Sequence, residues 1–251
     1  MDLTKLRHIA CVMMLLLVGG AVAHAQDNDM ILNRPYADVK RIHFGFSVGM
    51  NFQNLAITNN GKVSDDGELE WYADVPAHSP GFSVNVLADF RIAEHFNLRV
   101  SPGLYFGNKV VRFLNHRGSP EWQEQGRYKQ SQNIKSTYIV VPIDLKMSAK
   151  RYHNMRPYFT GGLMYAHDLA KDRSEQFKLK NADLMLSVGM GCDFYMQFFK
   201  LCPEIKFCFG LKDLLDRNRP DLADDTEVMR LFTQSVDKIT SNMVVVTFFF
   251  E

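Results

Sequence analysis

The stretch IHFGFSVGMN, residues 42–51, alternates between large apolar side chains and small or polar ones. Successive side chains of a β-strand point to opposite faces, so this period of two predicts a strand with one apolar face. A helix would instead repeat its apolar residues every three or four positions. The stretch therefore predicts a strand whose large apolar side chains face an apolar environment and whose small or polar side chains face the opposite side.

Alternation of the same kind recurs along the chain and gives eight predicted strands. The apolar faces of the other seven begin at Phe82, Phe96, Thr137, Phe159, Leu184, Leu201 and Val244. Short links fall at about 92–95, 149–155 and 198–199, and long links fall at about 52–81, 108–133, 168–182 and 212–241. Outer-membrane barrels combine an even strand number with short periplasmic turns and long outer loops. The sequence therefore predicts an all-β, eight-stranded antiparallel up-and-down transmembrane barrel over residues 42–251.

The first 25 residues have the parts of a secretory signal peptide. A basic start is followed by an apolar run over residues 9–22 and by the small-x-small site Ala23-His24-Ala25. The apolar run is shorter than the roughly 20 residues that a membrane-spanning helix needs. We expect export through the Sec pathway, cleavage after Ala25, and a periplasmic segment over residues 26–41 before the barrel.

The composition argues against several classes of function. The formal net charge is +1, and without a basic surplus or a long charge block we expect no nucleic-acid partner. The cysteines after the predicted signal peptide are Cys192, Cys202 and Cys208. Their odd number argues against a disulfide framework, and their spacing fits no zinc motif. We expect neither a metal nor a cofactor.

The polar face of the predicted strands carries scattered charges among Gly, Ser, Thr and Asn. A soluble lipocalin-like barrel, the structural alternative, would show the denser Lys and Glu of a water-exposed surface on that face. An eight-stranded barrel is just wide enough for side chains to fill, and buried charges are costly unless they are paired. We therefore predict a closed lumen without an open pore. Its predicted charge network consists of Asp89, Arg91, Arg99, Asp144, Lys146, Arg156, Asp193, Glu204 and Lys206.

A catalytic site at the outer rim is an alternative from another class of function. The candidate acid–base or acyl-transfer residues are His78, His116, His167, Asp168, Ser174 and Asp213. His167 and Asp168 are sequence neighbours at the end of a predicted strand, which is not by itself the geometry of a triad. We expect no enzymatic activity and assign no catalytic residues.

The last long loop contains a second kind of periodicity. Apolar or small residues recur at helical spacing between Pro220 and Thr240, namely Val228, Leu231, Phe232, Ser235, Val236 and Ile239. Acidic residues precede them, as is favourable near a helix start. The pattern predicts a short amphipathic helix over the barrel mouth, which either caps the lumen or docks a partner.

Ordered segments of the chain resemble the PorT family. They are His43 to Phe46, Pro80 to Phe82, Leu98 to Leu104, Tyr138 to Pro142, Lys150-Arg151 with Asn154, Arg156 to Tyr158, Gly161-Gly162, Asp168 to Ala170, and Gly189 to Tyr195 leading to Phe199-Lys200. They occur in family order from about residue 38 to 211. Residues 52–79 and 212–241 match less well, and Glu251 departs from the terminal aromatic residue common in outer-membrane barrels.

The resemblance implies an outer-membrane barrel needed by the type IX secretion system of Bacteroidetes. That system exports proteins with a C-terminal signal domain and delivers gliding adhesins in gliding relatives. The resemblance implies an accessory or assembly role without catalytic residues. The expected partners are outer-membrane lipid and other secretion-system proteins or cargo, with no small-molecule substrate. A general structural or adhesion barrel is a further alternative.

Overall fold

The structure, a computed structural model, describes residues 33–59, 71–74, 79–115, 129–169, 179–215 and 236–251. The predicted signal peptide, residues 1–25, lies outside these ranges. Within them, no helix is long and apolar enough to span a membrane. A short 3-10 helix, Ala37–Val39, precedes the first strand.

Ten β-strands are formed by the described residues. They are β1 Ile42–Asn59, β2 Trp71–Asp74, β3 Ser79–Arg91, β4 Phe96–Val100, β5 Gly103–Asn115, β6 Lys129–Ser148, β7 Met155–Asp168, β8 Ala182–Tyr195, β9 Lys200–Gly210 and β10 Val236–Phe250. β4 and β5 pair with the same two neighbours, β3 and β6, and keep the same register on each. They therefore act as one strand that is interrupted only at residues 101–102. β2 pairs with the distal part of β5. The strands therefore occupy eight positions.

These eight positions form a closed ring. Neighbouring strands pair antiparallel, and β1 pairs with β3 on one side and with β10 on the other. Closure removes the exposed strand edges that would otherwise present unpaired backbone groups. The predicted eight-stranded antiparallel up-and-down barrel is confirmed.

The register of the ladders determines the tilt of the strands. From Phe44 in β1, ladder partners followed once around the ring return to β1 at Asn54, ten residues further along. The intervening partners are Ala88, Val100, Ile143, Leu163, Leu186, Phe209 and Asn242. With a rise of about 3.3 Å per residue and about 4.8 Å between strands, this shear tilts the strands by about 40° and gives a backbone radius of about 8 Å.

Side chains alternate between the interior of the ring and its outer wall. In β7, Arg156, Tyr158 and Thr160 are buried, whereas Pro157 and Phe159 between them are exposed. The interior is the only place where the polar side chains of such strands can be enclosed. Strand alternation thus places the small and charged face inside and the apolar face outside.

Large apolar side chains form a continuous belt on the outer wall. Exposed members include Phe44, Phe46, Val84, Val86, Ile143, Leu145, Phe159, Leu163, Val188, Met190, Phe207 and Phe248. An apolar surface of this extent is far larger than monomeric soluble proteins expose to water. On β1 the belt runs from Ile42 to Phe52. At the tilt derived above, it is about 25 Å high, the height of the apolar band in outer-membrane barrels.

The strands are longer than predicted at the end of the barrel that carries the long loops. β1 continues to Asn59, and β5 and β6 continue into the predicted loop 108–133. β2 and the start of β3 occupy part of the predicted loop 52–81. Backbone pairing therefore extends beyond the apolar belt, because neighbouring strands satisfy each other's hydrogen bonds there without needing an apolar face.

The predicted helix between Pro220 and Thr240 is wrong at its C-terminal end. Val236 and Ile239 were assigned to it by their spacing, but both lie in β10. Ile239 pairs with Ile57 of β1, so the ladder overrides the local helical spacing there. Residues 216–235, which make up most of the predicted helix, lie outside the described residues.

The belt can be tested at Val188, which is exposed on the outer wall in the middle of β8. We expect Val188→Arg to destabilise the folded barrel in lipid vesicles by about 2–4 kcal/mol, because it places a cation at the depth of the bilayer centre. Urea titration with a gel-mobility readout of the folded form measures this change. Val188→Leu is the matched control, and equal stability of the two variants would contradict the belt.

Candidate functional site

Arg99 lies at the centre of a buried ion-pair network in the lumen. Its Nη1 donates to Oε2 of Glu204 at 2.8 Å and its Nε donates to Oδ2 of Asp89 at 3.4 Å. Its Nη2 lies 3.5 Å from Oε1 of Glu251. The guanidinium carries five donors in a rigid fork, so one side chain can serve three carboxylates. No part of the Arg99 side chain is exposed.

Two lysines extend the network towards the end of the barrel that carries the short turns. Nζ of Lys146 donates to both carboxylate oxygens of Asp193, at 2.8 and 2.7 Å. Nζ of Lys200 lies 3.8 Å from the same carboxylate and also pairs with Glu251. Because Glu251 contacts both Lys200 and Arg99, the residue after β10 joins the two parts of the network.

A third lysine extends the network in the opposite direction. Nζ of Lys206 donates to Oδ2 of Asp144 at 2.5 Å and lies 3.2 Å from Oε1 of Glu204. The hydroxyl of Ser187 donates to Oδ1 of Asp144 at 2.7 Å. Both oxygens of this buried carboxylate are therefore satisfied, which offsets part of its desolvation.

The aromatic ring of Tyr158 lies between two cations of the network. Its centroid is 5.2 Å from Cζ of Arg99 and 4.1 Å from Nζ of Lys146. Such contacts with the ring face stabilise desolvated cations. Gly191 is the ladder partner of Tyr158, and a Cβ at Gly191 would lie only 2.5 Å from Cζ of the ring. Gly191 therefore leaves the space that the ring occupies.

Residues 33–39, which we call the cap, close the short-turn end of the lumen. Asp38 holds the cap through contacts with three residues of the barrel. Its Oδ2 is 3.3 Å from Nη1 of Arg151, and its Oδ1 is 3.2 Å from Nη1 of Arg156. The hydroxyl of Tyr195 also donates to Oδ1 of Asp38. Since Arg156 and Tyr195 point into the lumen, the cap lies across the opening.

Backbone contacts fix the start of the cap. The backbone N–H of Asn33 donates to Oδ1 of Asn154 at 3.0 Å, and the side-chain amide of Asn33 donates to the carbonyl of Tyr195 at 2.9 Å. Nη1 of Arg34 donates to the carbonyl of Glu251 at 2.9 Å. The guanidinium of Arg151 stacks on the ring of Tyr195, 3.5 Å from its centroid. The cap is thus held by the turn 149–154, by the end of β8 and by the residue after β10.

Buried side chains of the described residues also occupy the levels of the lumen above the cap. Towards the long loops, an apolar cluster is formed by Tyr105, Tyr138, Val140, Met164, Ala166, Met185, Cys208, Met243 and Val245, all of which are buried. Beneath the cap, a cavity of about 10 Å³ is bounded by polar and charged residues that include His43, Arg91 and Lys200. That volume is room for about one water molecule. The cap, the ion pairs and the apolar cluster therefore occupy successive levels of the barrel.

The charges of the ion-paired side chains balance. The six cations are Arg99, Lys146, Arg151, Arg156, Lys200 and Lys206, and the six carboxylates are Asp38, Asp89, Asp144, Asp193, Glu204 and Glu251. An excess of either sign in this enclosed space would leave a charge without compensation. The ion-paired side chains of the described residues are accordingly neutral as a set.

The structure brings seven of the nine predicted network residues together. They are Asp89, Arg99, Asp144, Lys146, Asp193, Glu204 and Lys206. Arg156 instead lies at the short-turn end, where it holds Asp38 and donates to the carbonyl of Ala149 at 2.8 Å. Arg91 lines the small cavity and forms no ion pair with another described residue.

Sequence reasoning missed Lys200 and Glu251 of the network. Lys200 has the same parity in β9 as the inward-facing Cys202, and Glu251 continues the inward parity of Phe249. The period of two could therefore have found both residues. It could not have found Asp38 of the cap, because that residue precedes the first strand and meets Arg151 only in the folded barrel.

The candidate catalytic residues do not form a site in the described part of the chain. His167 and Asp168 are consecutive in β7 and so point to opposite faces of the strand. Oδ1 of Asp168 accepts the N–H of Thr137 at 3.2 Å, and Oδ1 of Asp213 accepts the N–H groups of Leu215 and Ile239 at 3.1 Å. His78, His116 and Ser174 lie outside the described residues.

The described residues offer no metal site and no disulfide. No group of three or more His, Cys, Asp or Glu side chains in these ranges is placed to hold a metal ion. Cys192, Cys202 and Cys208 are free thiols, the last two of them buried. The arrangement is that of a structural network, whose charged groups are all engaged with one another.

A comparison with protein families agrees with this architecture. A family model described as "Outer membrane protein beta-barrel domain" matches residues 24–216. Similar solved structures are neisserial surface protein A (10% identity, TM-score 0.41, 84% of this chain and 98% of that chain), OprG from Pseudomonas aeruginosa (14%, 0.41, 83% and 92%) and Ail of Yersinia pestis (9%, 0.34, 84% and 99%). No curated protein sequence matches the chain.

The network makes a prediction for Arg99. We expect Arg99→Met to destabilise the barrel by about 3–5 kcal/mol, because three buried carboxylates lose their shared cation. Arg99→Lys keeps the charge and loses only part of the hydrogen bonding, so its loss of stability should be clearly smaller. Urea unfolding of both variants in lipid vesicles measures the difference. Equal losses would show that charge compensation is not the role of Arg99.

Proposed function

This chain belongs to the outer-membrane β-barrel domain family, and we propose that it is a non-enzymatic barrel that supports type IX protein secretion through protein contacts. The observation that carries the proposal is the lumen occupied by side chains, with its balanced network of ion pairs. A barrel occupied by the cap, the ion pairs and the apolar cluster leaves its surfaces to interact with other molecules. In outer-membrane barrels the short turns face the periplasm and the long loops face outwards.

The resemblance to the PorT family supports the link to type IX secretion. Its segments include Arg99 and Asp193 of the network, and Arg151, Asn154 and Arg156 at the cap. These are residues that fill the lumen and hold the cap in this structure. The likeness therefore lies in the architecture of a closed barrel with a fixed periplasmic end, and an accessory role in secretion is consistent with such an architecture.

A general structural or adhesion barrel is the second candidate. The family match favours it to the same extent, because the matched description refers to an outer-membrane barrel and names no process. This candidate predicts an altered cell envelope with normal export of proteins that carry a C-terminal signal domain. The type IX proposal predicts an export defect with otherwise normal outer-membrane proteins.

A clean deletion of the gene separates the two candidates. We expect cargo with a C-terminal signal domain to accumulate in the periplasm and to disappear from the cell surface, as measured by immunoblots of the fractions. The wild-type gene should restore export. Restoration by His167→Ala and by Asp168→Ala is expected as well, because the proposed role needs no catalysis. Normal export in the deletion strain would rule out the type IX role, and failure of both alanine variants at normal barrel levels would favour an enzyme.

A further inference from the structure

The cap presents two large apolar side chains on the side that faces away from the lumen. Ala37 is buried, and Asp38 is held by the barrel. The residues on either side point the other way, with Tyr36 78% exposed and Val39 65% exposed. The side chains of Tyr36 and Val39 are so exposed that they do not help to hold the cap on the barrel, which the hydrogen bonds of neighbouring residues do.

The position of the cap excludes lipid as the natural contact of these side chains. The cap is hydrogen-bonded to Arg156 and Tyr195, whose side chains point into the lumen, so it lies across the opening of the ring and not on the outer wall. The bilayer surrounds the outer wall, about 8 Å from the barrel axis at the backbone. Phe198, in the short turn between β8 and β9, is 89% exposed and is an aromatic residue of the kind found at the membrane boundary.

The surface around Tyr36 and Val39 is basic. Lys40 and Arg41 follow the cap directly and are exposed, and Lys150 is exposed in the turn between β6 and β7. Glu94 is an exposed acid in the neighbouring short turn. Lys40 and Arg41 outnumber Glu94 among these exposed charges, and such a positive balance attracts acidic partners and steers their approach.

We propose that this face, residues 36–41 with the turn 149–154, docks an acidic segment of a periplasmic protein. Tyr36 and Val39 would bury apolar side chains of the partner, and Lys40 and Arg41 would pair with carboxylates around them. An aromatic anchor with a charged rim is the usual composition of a protein interface. The inference rests on the proposed function, since it names the kind of partner through which the barrel acts.

The turn 149–154 is well suited to such a rigid surface. The backbone groups of Tyr152 and Met155 form two hydrogen bonds of 2.9 Å with each other across the turn. Nε of Arg151 donates to the carbonyl of His153 at 2.9 Å, while Arg151 also holds Asp38 of the cap. The same arginine therefore fixes both parts of the proposed surface relative to each other, which lowers the entropic cost of docking.

Photo-crosslinking in living cells tests this surface. A photoreactive phenylalanine is placed at position 36, and a second one at position 238 near the long-loop end serves as the control. We expect position 36 to form an adduct with a protein segment that has more Asp and Glu than Lys and Arg. The adduct should fall about tenfold with Lys40→Glu/Arg41→Glu, because like charges then oppose each other, and should persist with Lys238→Glu. Position 238 should not capture the same segment.

Several outcomes would overturn the proposal. They are an adduct with lipid alone, an adduct with a neutral or basic segment, an adduct that the double variant leaves unchanged, or no adduct at all. Folding of each variant is verified by gel mobility. Export by the deletion strain is measured in parallel. If the adduct forms but the deletion strain exports normally, only the type IX role is rejected. An export defect without an adduct rejects only this surface.

Discussion

Arg99 holds three carboxylates from three separate parts of the chain, and the closed barrel depends on this contact. Asp89 comes from β3, Glu204 from β9 and Glu251 from the residue after β10. These positions lie on different sides of a lumen whose radius is about 8 Å at the backbone. In so narrow a space an uncompensated charge would be strongly destabilising. The guanidinium of Arg99 thus links early and late strands, and it compensates the charge of the carboxylates that fill this part of the lumen.

The same network contributes to the choice of register. A slip of one residue between two strands would turn the apolar belt inwards, so alternation alone excludes it. A slip of two residues would keep every side chain on its proper face, and alternation cannot exclude that error. It would, however, separate Lys146 from Asp193 and Lys206 from Asp144, leaving buried charges unpaired. The ion pairs therefore specify the register that the apolar pattern leaves open. That register in turn determines the shear and the tilt of the strands.

Much of the fold could be predicted from the sequence, because an eight-stranded barrel repeats one local rule. Period-two alternation identified the strands and the inward charges from Asp89 to Lys206. Contacts between distant segments were not predictable in this way. Asp38 meets Arg151 only when the segment before β1 folds across the opening, and Glu251 joins the network only because β10 ends beside β9. At Ile239 a local helical pattern misled the prediction, since strand pairing with β1 determines its structure.

The proposed action through surface contacts requires a lumen that is sealed by side chains. Current recordings from the purified, folded barrel in planar lipid bilayers test this claim most directly. We expect no steady conductance at moderate voltage, because the cap, the ion pairs and the apolar cluster occupy successive levels of an interior that is just wide enough for side chains. Stable, stepwise currents from the wild-type protein, in preparations whose folded state is verified by gel mobility, would contradict it.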